Sequence, residues 1–123
     1  MQIANAAIGS SIGGSLTTTN AISQIIAQFP CSENKLYVFP LHVSCRRTDV
    51  AGEASSWALI AHVLVTGGVP VLIGNTSVVS KHVIGNTLAE CNVGLSGNLF
   101  QVNVVGELNK TFFWRSSGVM STC

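Results

Sequence analysis

The sequence predicts an all-β fold, an antiparallel β-sandwich of jelly-roll type with an extended N-terminal arm. Three observations predict it. Apolar residues alternate with a period of two over several short stretches, glycine turns separate those stretches at near-regular intervals, and no stretch carries an uncontradicted helical period. The chain has 123 residues, the size of one domain. Residues 1–19 read as the arm and residues 20–123 as a single sandwich domain.

Met1 to Thr19 carries no charge and contains Gly9, Gly13, Gly14 and the run Leu16-Thr17-Thr18-Thr19. That is too much glycine for a packed helix and too little charge for a solvated tail. An arm that orders against a neighbour fits better, with Ile3, Ile8, Ile12 and Leu16 as its adhesive residues. In Asn20 to Phe29, Ala21, Ile22, Ile25 and Ile26 also fit a helical spacing, but the β-branched residues and the following Pro30 favour a strand.

Lys35 to Arg47 puts Tyr37, Phe39, Leu41, Val43 and Cys45 on one face and His42, Ser44 and Arg46 on the other. Trp57 to Thr66 is apolar on both faces, as a central or an interface strand would be; Trp57, Ile60 and Leu64 are its candidate contacts with a neighbour. Gly67-Gly68 supplies the positive φ angles of a tight hairpin turn, and Val69 to Asn75 returns. Ile-Gly-Asn-Thr occurs twice, at 73–76 and 84–87, and reads as turn chemistry. Glu90 to Leu95 and Leu99 to Val105 form a hairpin through Ser96-Gly97-Asn98, and a turn over Gly106 to Lys110 feeds a last strand, Thr111 to Arg115.

Charge is scarce. Six Lys and Arg against five Asp and Glu give a net charge of +1, and charged residues make up 9% of the chain, against about 25% in an average soluble domain. This balance gives no footprint for nucleic acid, and no apolar run is long enough to span a membrane. The longest, Trp57 to Val65, is interrupted by His62. No Lys or Arg precedes Glu33, so a secretory leader is not expected. A surface this poor in charge is expected to be covered in part by a partner.

Catalytic chemistry finds little support. Asp49 is the single aspartate, and His42, His62 and His82 fall in or beside strands with no nucleophile elbow nearby. Glu33, Glu53, Glu90 and Glu107 satisfy no spacing rule for a glycosidase pair. His42 and His62 could form half a metal site or a pH sensor, with ordinary exposed histidines the simpler reading. Cys31, Cys45, Cys91 and Cys123 show no metal-ligand spacing and read as free thiols, with disulfides as the alternative. The expectation is a non-enzymatic protein with no cofactor and no metal.

The densest polar segment is Arg46-Arg47-Thr48-Asp49-Val50-Ala51-Gly52-Glu53. Successive strand residues point to opposite faces, so only one of the two arginines can serve its own sheet. Arg46, Arg47 and Asp49 are therefore candidates either for a local ion-pair cluster or for an intersubunit clamp.

The stretch Leu36 to Gly52, with Tyr37 and then Arg46-Arg47-Thr48-Asp49, resembles a module of tailed-bacteriophage virion proteins found near tail-fibre ends and in small structural proteins. In that family an Arg-Arg-Thr-Asp strand end is followed by a strand pair, a Gly-Asn turn and a closing Gly-x-x-x-Lys-Thr-x-x-Trp. Here Gly97-Asn98, Gly106, Lys110, Thr111 and Trp114 stand in that order, and the resemblance spans residues 19–115. The family's Gly-Trp-Asp is absent near Ala89-Glu90-Cys91, and its polar strand after the arginines is replaced by the apolar Trp57-Ala58-Leu59-Ile60-Ala61.

The resemblance implies a non-enzymatic β-sandwich acting as a homotrimer in the virion. A short arm on a lone sandwich suits a capsid decoration, or cement, protein on the capsid exterior, assembled in the host cytoplasm and bound to the major capsid protein. The alternative is a tail or tail-fibre component, with tail proteins as partners, or an adhesion module for host-surface glycan in which Trp57, Phe113 and Trp114 would contact the sugar.

Overall fold

A computed structural model describes residues 10–74 and 77–123, and among these every regular element is a β-strand. Two antiparallel sheets face each other as a sandwich. The large sheet is built on three long strands: β4 (Leu36–Arg47) lies between β5 (Ala54–Thr66) and β10 (Phe112–Thr122). Each flank of that trio is completed by two short strands. β1 (Ser10–Ser11) and β2 (Gly14–Thr18) pair with β10, while β6 (Val69–Leu72) and β7 (Ser77–Ile84) pair with β5. The small sheet is β3 (Gln24–Pro30), β9 (Leu99–Val105) and β8 (Glu90–Ser96), in that order.

Strand alternation decides the core. Tyr37, Phe39, Leu41, Val43 and Cys45 of β4 and Trp57, Leu59, Ala61, Val63 and Val65 of β5 are buried beneath the small sheet, which contributes Phe100, Val102 and Val104. Phe39 stacks on Phe100 across the sandwich with ring centroids 4.0 Å apart. Each such side chain contributes about 1.5–3 kcal/mol by leaving water. Gly67 and Gly68 have φ of 60° and 78°, the pair of positive values a primed hairpin turn needs, and the turn joins β5 to β6.

Pro40 lies inside β4, a central strand, where a proline has no N–H to offer the ladder. The β4–β10 pairing is interrupted there: Gly118 pairs with Leu41 and Ser121 with Val38, with no partners between. β1 pairs with Val119 and Met120 on the other flank of β10 at that level.

The described part of the expected arm belongs to the chain's own sandwich. Ile12 is buried, Leu16 packs against the core, and Gly14 to Thr18 pairs along Ser116 to Phe112 of β10. A neighbour is therefore not required to order these residues. Ile3 and Ile8 lie outside the described residues. β10 also continues well beyond Arg115, where the sequence predicts its end, because Ser116-Ser117-Gly118 resembles a turn yet pairs with β4 through Val43 to Leu41.

Both tryptophans lie in the core, not on the surface where an interface or sugar contact needs them. Trp57 is 4% exposed and Trp114 0%, and the two indoles stack with centroids 5.8 Å apart between the sheets. Neither can reach a neighbour or a glycan from there. β5 is apolar on both sides, so its sequence does not say which side faces inward; the fold turns Trp57 in and leaves Ile60 and Leu64 on the outer face.

Candidate functional site

The Arg46–Glu53 segment splits as strand parity requires. Arg47 turns to its own chain, donating from Nε to Asp49 Oδ1 at 2.7 Å, from Nη2 to Asp49 Oδ2 at 3.1 Å and from Nη1 to Glu53 Oε2 at 2.9 Å. Lys110 Nζ joins the cluster, 3.0 Å from Glu53 Oε1, 3.0 Å from the Asn86 carbonyl oxygen and 3.4 Å from Glu107 Oε2. Asp49 Oδ1 also accepts the Thr111 N–H at 3.3 Å, and Thr48 N–H donates to the Thr111 carbonyl at 2.8 Å.

The Arg-Arg-Thr-Asp strand end and the Lys-Thr of the closing motif are thus physically tied together. Together these bonds link Arg47, Asp49 and Glu53 to Asn86, Glu107, Lys110 and Thr111 at one end of the sandwich. The charges set the carboxyl groups accordingly. The hydrogen bonds from Arg47 outweigh partial desolvation and hold the Asp49 pKa down to about 2, and Lys110, with Arg47, lowers that of Glu53. A glycosidase acid needs the opposite shift.

Arg46 points the other way, to the outer face of the large sheet, with its Cα opposite Phe113 on β10 and Ala54 on β5. On this side the strands carry only two full charges among the described residues, Arg46 and Arg115, both near one end. Towards the opposite end the ladder positions become apolar. Leu36 pairs with Leu64 and Leu64 with Val71; Pro40 pairs with Ile60. Leu64, Val71 and Val119 are 43%, 56% and 52% exposed.

The outer face of the small sheet differs. It presents Gln28, Gln101, Asn103 and Asn92, with Gln101 Nε2 bonded to Gln28 Oε1 at 3.3 Å, and Ile25 is its one large apolar residue that is more than a third exposed. The uncovered apolar surface therefore concentrates on the large sheet. Sequence reasoning singled out Ile60 and Leu64 there but missed Val71 and Val119, because the strands that carry them were expected to end elsewhere or to serve only as returns.

His42 and His62 are both exposed on this face, but they do not meet. His42 pairs with Ala58, four positions from His62 on β5, so they stand about 14 Å apart and cannot share one metal ion. Among the described residues no cluster of His, Cys, Asp or Glu has metal-ligand geometry. Of the three aromatic residues expected to contact sugar, only Phe113 reaches the surface, half-buried, with the Arg115 guanidinium carbon 5.7 Å from its ring centroid. All four cysteines are free thiols.

No family model matches the chain, and no curated protein matches it in sequence. Its fold does match solved structures. The tailspike protein of Acinetobacter baumannii phage AM24 superposes over 98% of this chain with a TM-score of 0.51 and 8% identity. The sandwich is a fold found within phage tailspike proteins. The tailspike of Acinetobacter phage vB_ApiP_P1 superposes over 90% of the chain with a TM-score of 0.53 and 15% identity. The chain corresponds to 29% of the first tailspike's length and 22% of the second's.

Proposed function

We propose that the chain is a non-enzymatic structural module of a phage virion, placed in the tail apparatus and acting by packing against copies of itself as a homotrimer. The observation that carries this reading is that nearly the whole chain superposes on one portion of two much longer phage tailspike proteins. The large-sheet patch around Leu36, Pro40, Ile60, Leu64, Val71 and Val119 supplies the surface for self-association. Covering it removes apolar area at about 25 cal/mol per Å², and a stable interface buries about 1,600 Å² in total.

The same sparsely charged face supports a second reading, a cement protein lying on the major capsid protein. Electron microscopy of particles carrying a tagged copy of the chain separates the two. Density or label on the tail supports the first reading, and label distributed over the head overturns it in favour of the second. Sedimentation velocity of the purified chain tests the assembly itself; a monomer at micromolar concentration overturns self-packing through this patch.

A further inference from the structure

All five acidic side chains of the protein are engaged in ion pairs. Glu33 pairs with Lys35, Asp49 with Arg47, Glu53 with Arg47 and Lys110, Glu90 with Lys81, and Glu107 with Lys110. Those pairs use four of the six cations. The remaining two, Arg46 and Arg115, have no ion-pair partner among the described residues, and the undescribed positions hold no Asp or Glu.

Both unpaired arginines line the same concavity, of about 520 Å³, on the outer face of the large sheet. The register explains why a hollow forms there. Ser44 and Ser56 form a low floor on the two middle strands, with Arg115 and Phe113 on one side and His82 and Ile84 on the other. Arg46 and Arg115 are diagonal neighbours on adjacent strands, roughly 7–8 Å apart at their bases. A chain this poor in charge thus carries two arginines on one stretch of its surface without a counter-charge among the described residues.

We propose that this hollow binds a hydroxylated carboxylate of the uronic-acid class, as found in an acidic polysaccharide. The carboxylate bridges Arg46 and Arg115, whose planar forks suit its two oxygens. Ser44, Ser56 and His82 supply hydrogen bonds for ring hydroxyls, and the half-buried Phe113, with the Arg115 guanidinium over its ring, adds apolar contact at the rim. The volume is in the range of small-molecule sites. The hollow lies at the end of the face opposite the Leu36–Leu64 patch, and the inference stands whether or not the chain assembles.

The test is calorimetric titration of the full chain with oligogalacturonate, with neutral maltooligosaccharide and inorganic phosphate as separate arms. Binding of oligogalacturonate alone, weakened by added salt and reduced about tenfold or more in each of Arg46→Gln and Arg115→Gln, is the expected result. Neither substitution removes an intrachain ion pair; Arg46→Gln should melt with the parent, and Arg115→Gln, which gives up only the guanidinium's contact with the Phe113 ring, should stay close to it. No binding, binding unaffected by both substitutions, or phosphate binding as tightly as the uronate overturns the proposal.

Discussion

The indole Nε1–H of Trp114 donates to Thr18 Oγ1 at 2.9 Å, with both residues fully buried and 96 positions apart in the chain. This bond ties the N-terminal strand β2 to the closing strand, and it makes the stretch before Asn20 part of the domain's stability. Thr18→Val keeps shape and strand propensity but leaves a buried indole N–H unpaired. It should destabilise the protein by about 1–3 kcal/mol, whereas Thr18→Ser, which keeps the hydroxyl, should lose less. Urea denaturation of the two variants measures this; a Val variant as stable as the parent would remove the bond from the account.

Deleting residues 1–18 should be far more damaging than trimming a tail. It exposes the flank of β10 from Phe112 to Ser116 and removes buried Ile12 and Thr18 together with Leu16. Loss of a single buried Ile side chain to Ala already costs about 2–5 kcal/mol. The truncated chain should be largely unfolded or aggregated, as read by circular dichroism and light scattering. A soluble truncated chain with an intact melting transition would restore the segment to the role of a detachable arm.

Strand β4 was legible because its alternation is strict over Tyr37 to Cys45 and the buried partner is always the apolar one. The opposed directions of Arg46 and Arg47 follow from the same parity. β2 was not legible, since Gly13 and Gly14 resemble loop chemistry; in the fold, a Cβ at Gly14 would collide with the Ile26 carbonyl, so glycine is there for close approach. The inward turn of Trp57 is not legible, because period-two alternation separates two faces without naming the inner one, and β5 is apolar on both. The hollow between Arg46 and Arg115 depends on which strand lies beside which. Local sequence carries no signal for that.

Acid should loosen the closed end of the sandwich through Asp49 and Glu53. The Arg47 hydrogen bonds, helped by the Thr111 N–H, hold Asp49 at about 2, and Lys110 with Arg47 lowers Glu53. Folded pKa values below the unfolded ones, near 4, mean that this stabilisation is complete above about pH 5 and is lost as pH falls towards 2. Asp49→Asn should flatten the stability-versus-pH curve in that window, and Arg47→Ala should lower the melting temperature at pH 7 while Arg46→Ala does not. Denaturation series at pH 7, 4 and 2.5 test it; parallel curves for parent and Asp49→Asn would refute the assignment.

The cysteines should differ sharply in reactivity. Desolvation raises Cys31 and Cys45 to about 11 and Cys91 to about 12, so little thiolate exists at pH 8, while Cys123 is exposed at the end of β10. Iodoacetamide should add one label to the native protein, at Cys123, and four after unfolding in guanidinium. Mass spectrometry of tryptic peptides reads the positions, and early labelling of Cys45 would mean that the sheets open on the labelling timescale.

The outer patch of the large sheet gives the sharpest test of assembly. Leu64 sits in the middle of a cross-strand ladder with Leu36 on one side and Val71 on the other, is 43% exposed and lies outside the core between the sheets. A Leu64→Glu change should therefore leave the monomer's melting transition intact. If copies pack through this patch, the substitution buries an unpaired carboxylate at the contact, at about 3–5 kcal/mol, which weakens association by two to four orders of magnitude. Gln101→Glu on the polar face of the small sheet provides the control and should leave association unchanged. Equal sedimentation coefficients for the Leu64→Glu variant and the parent assembly would place the contact elsewhere, whereas selective dissociation of that variant would tie self-association to the large-sheet patch.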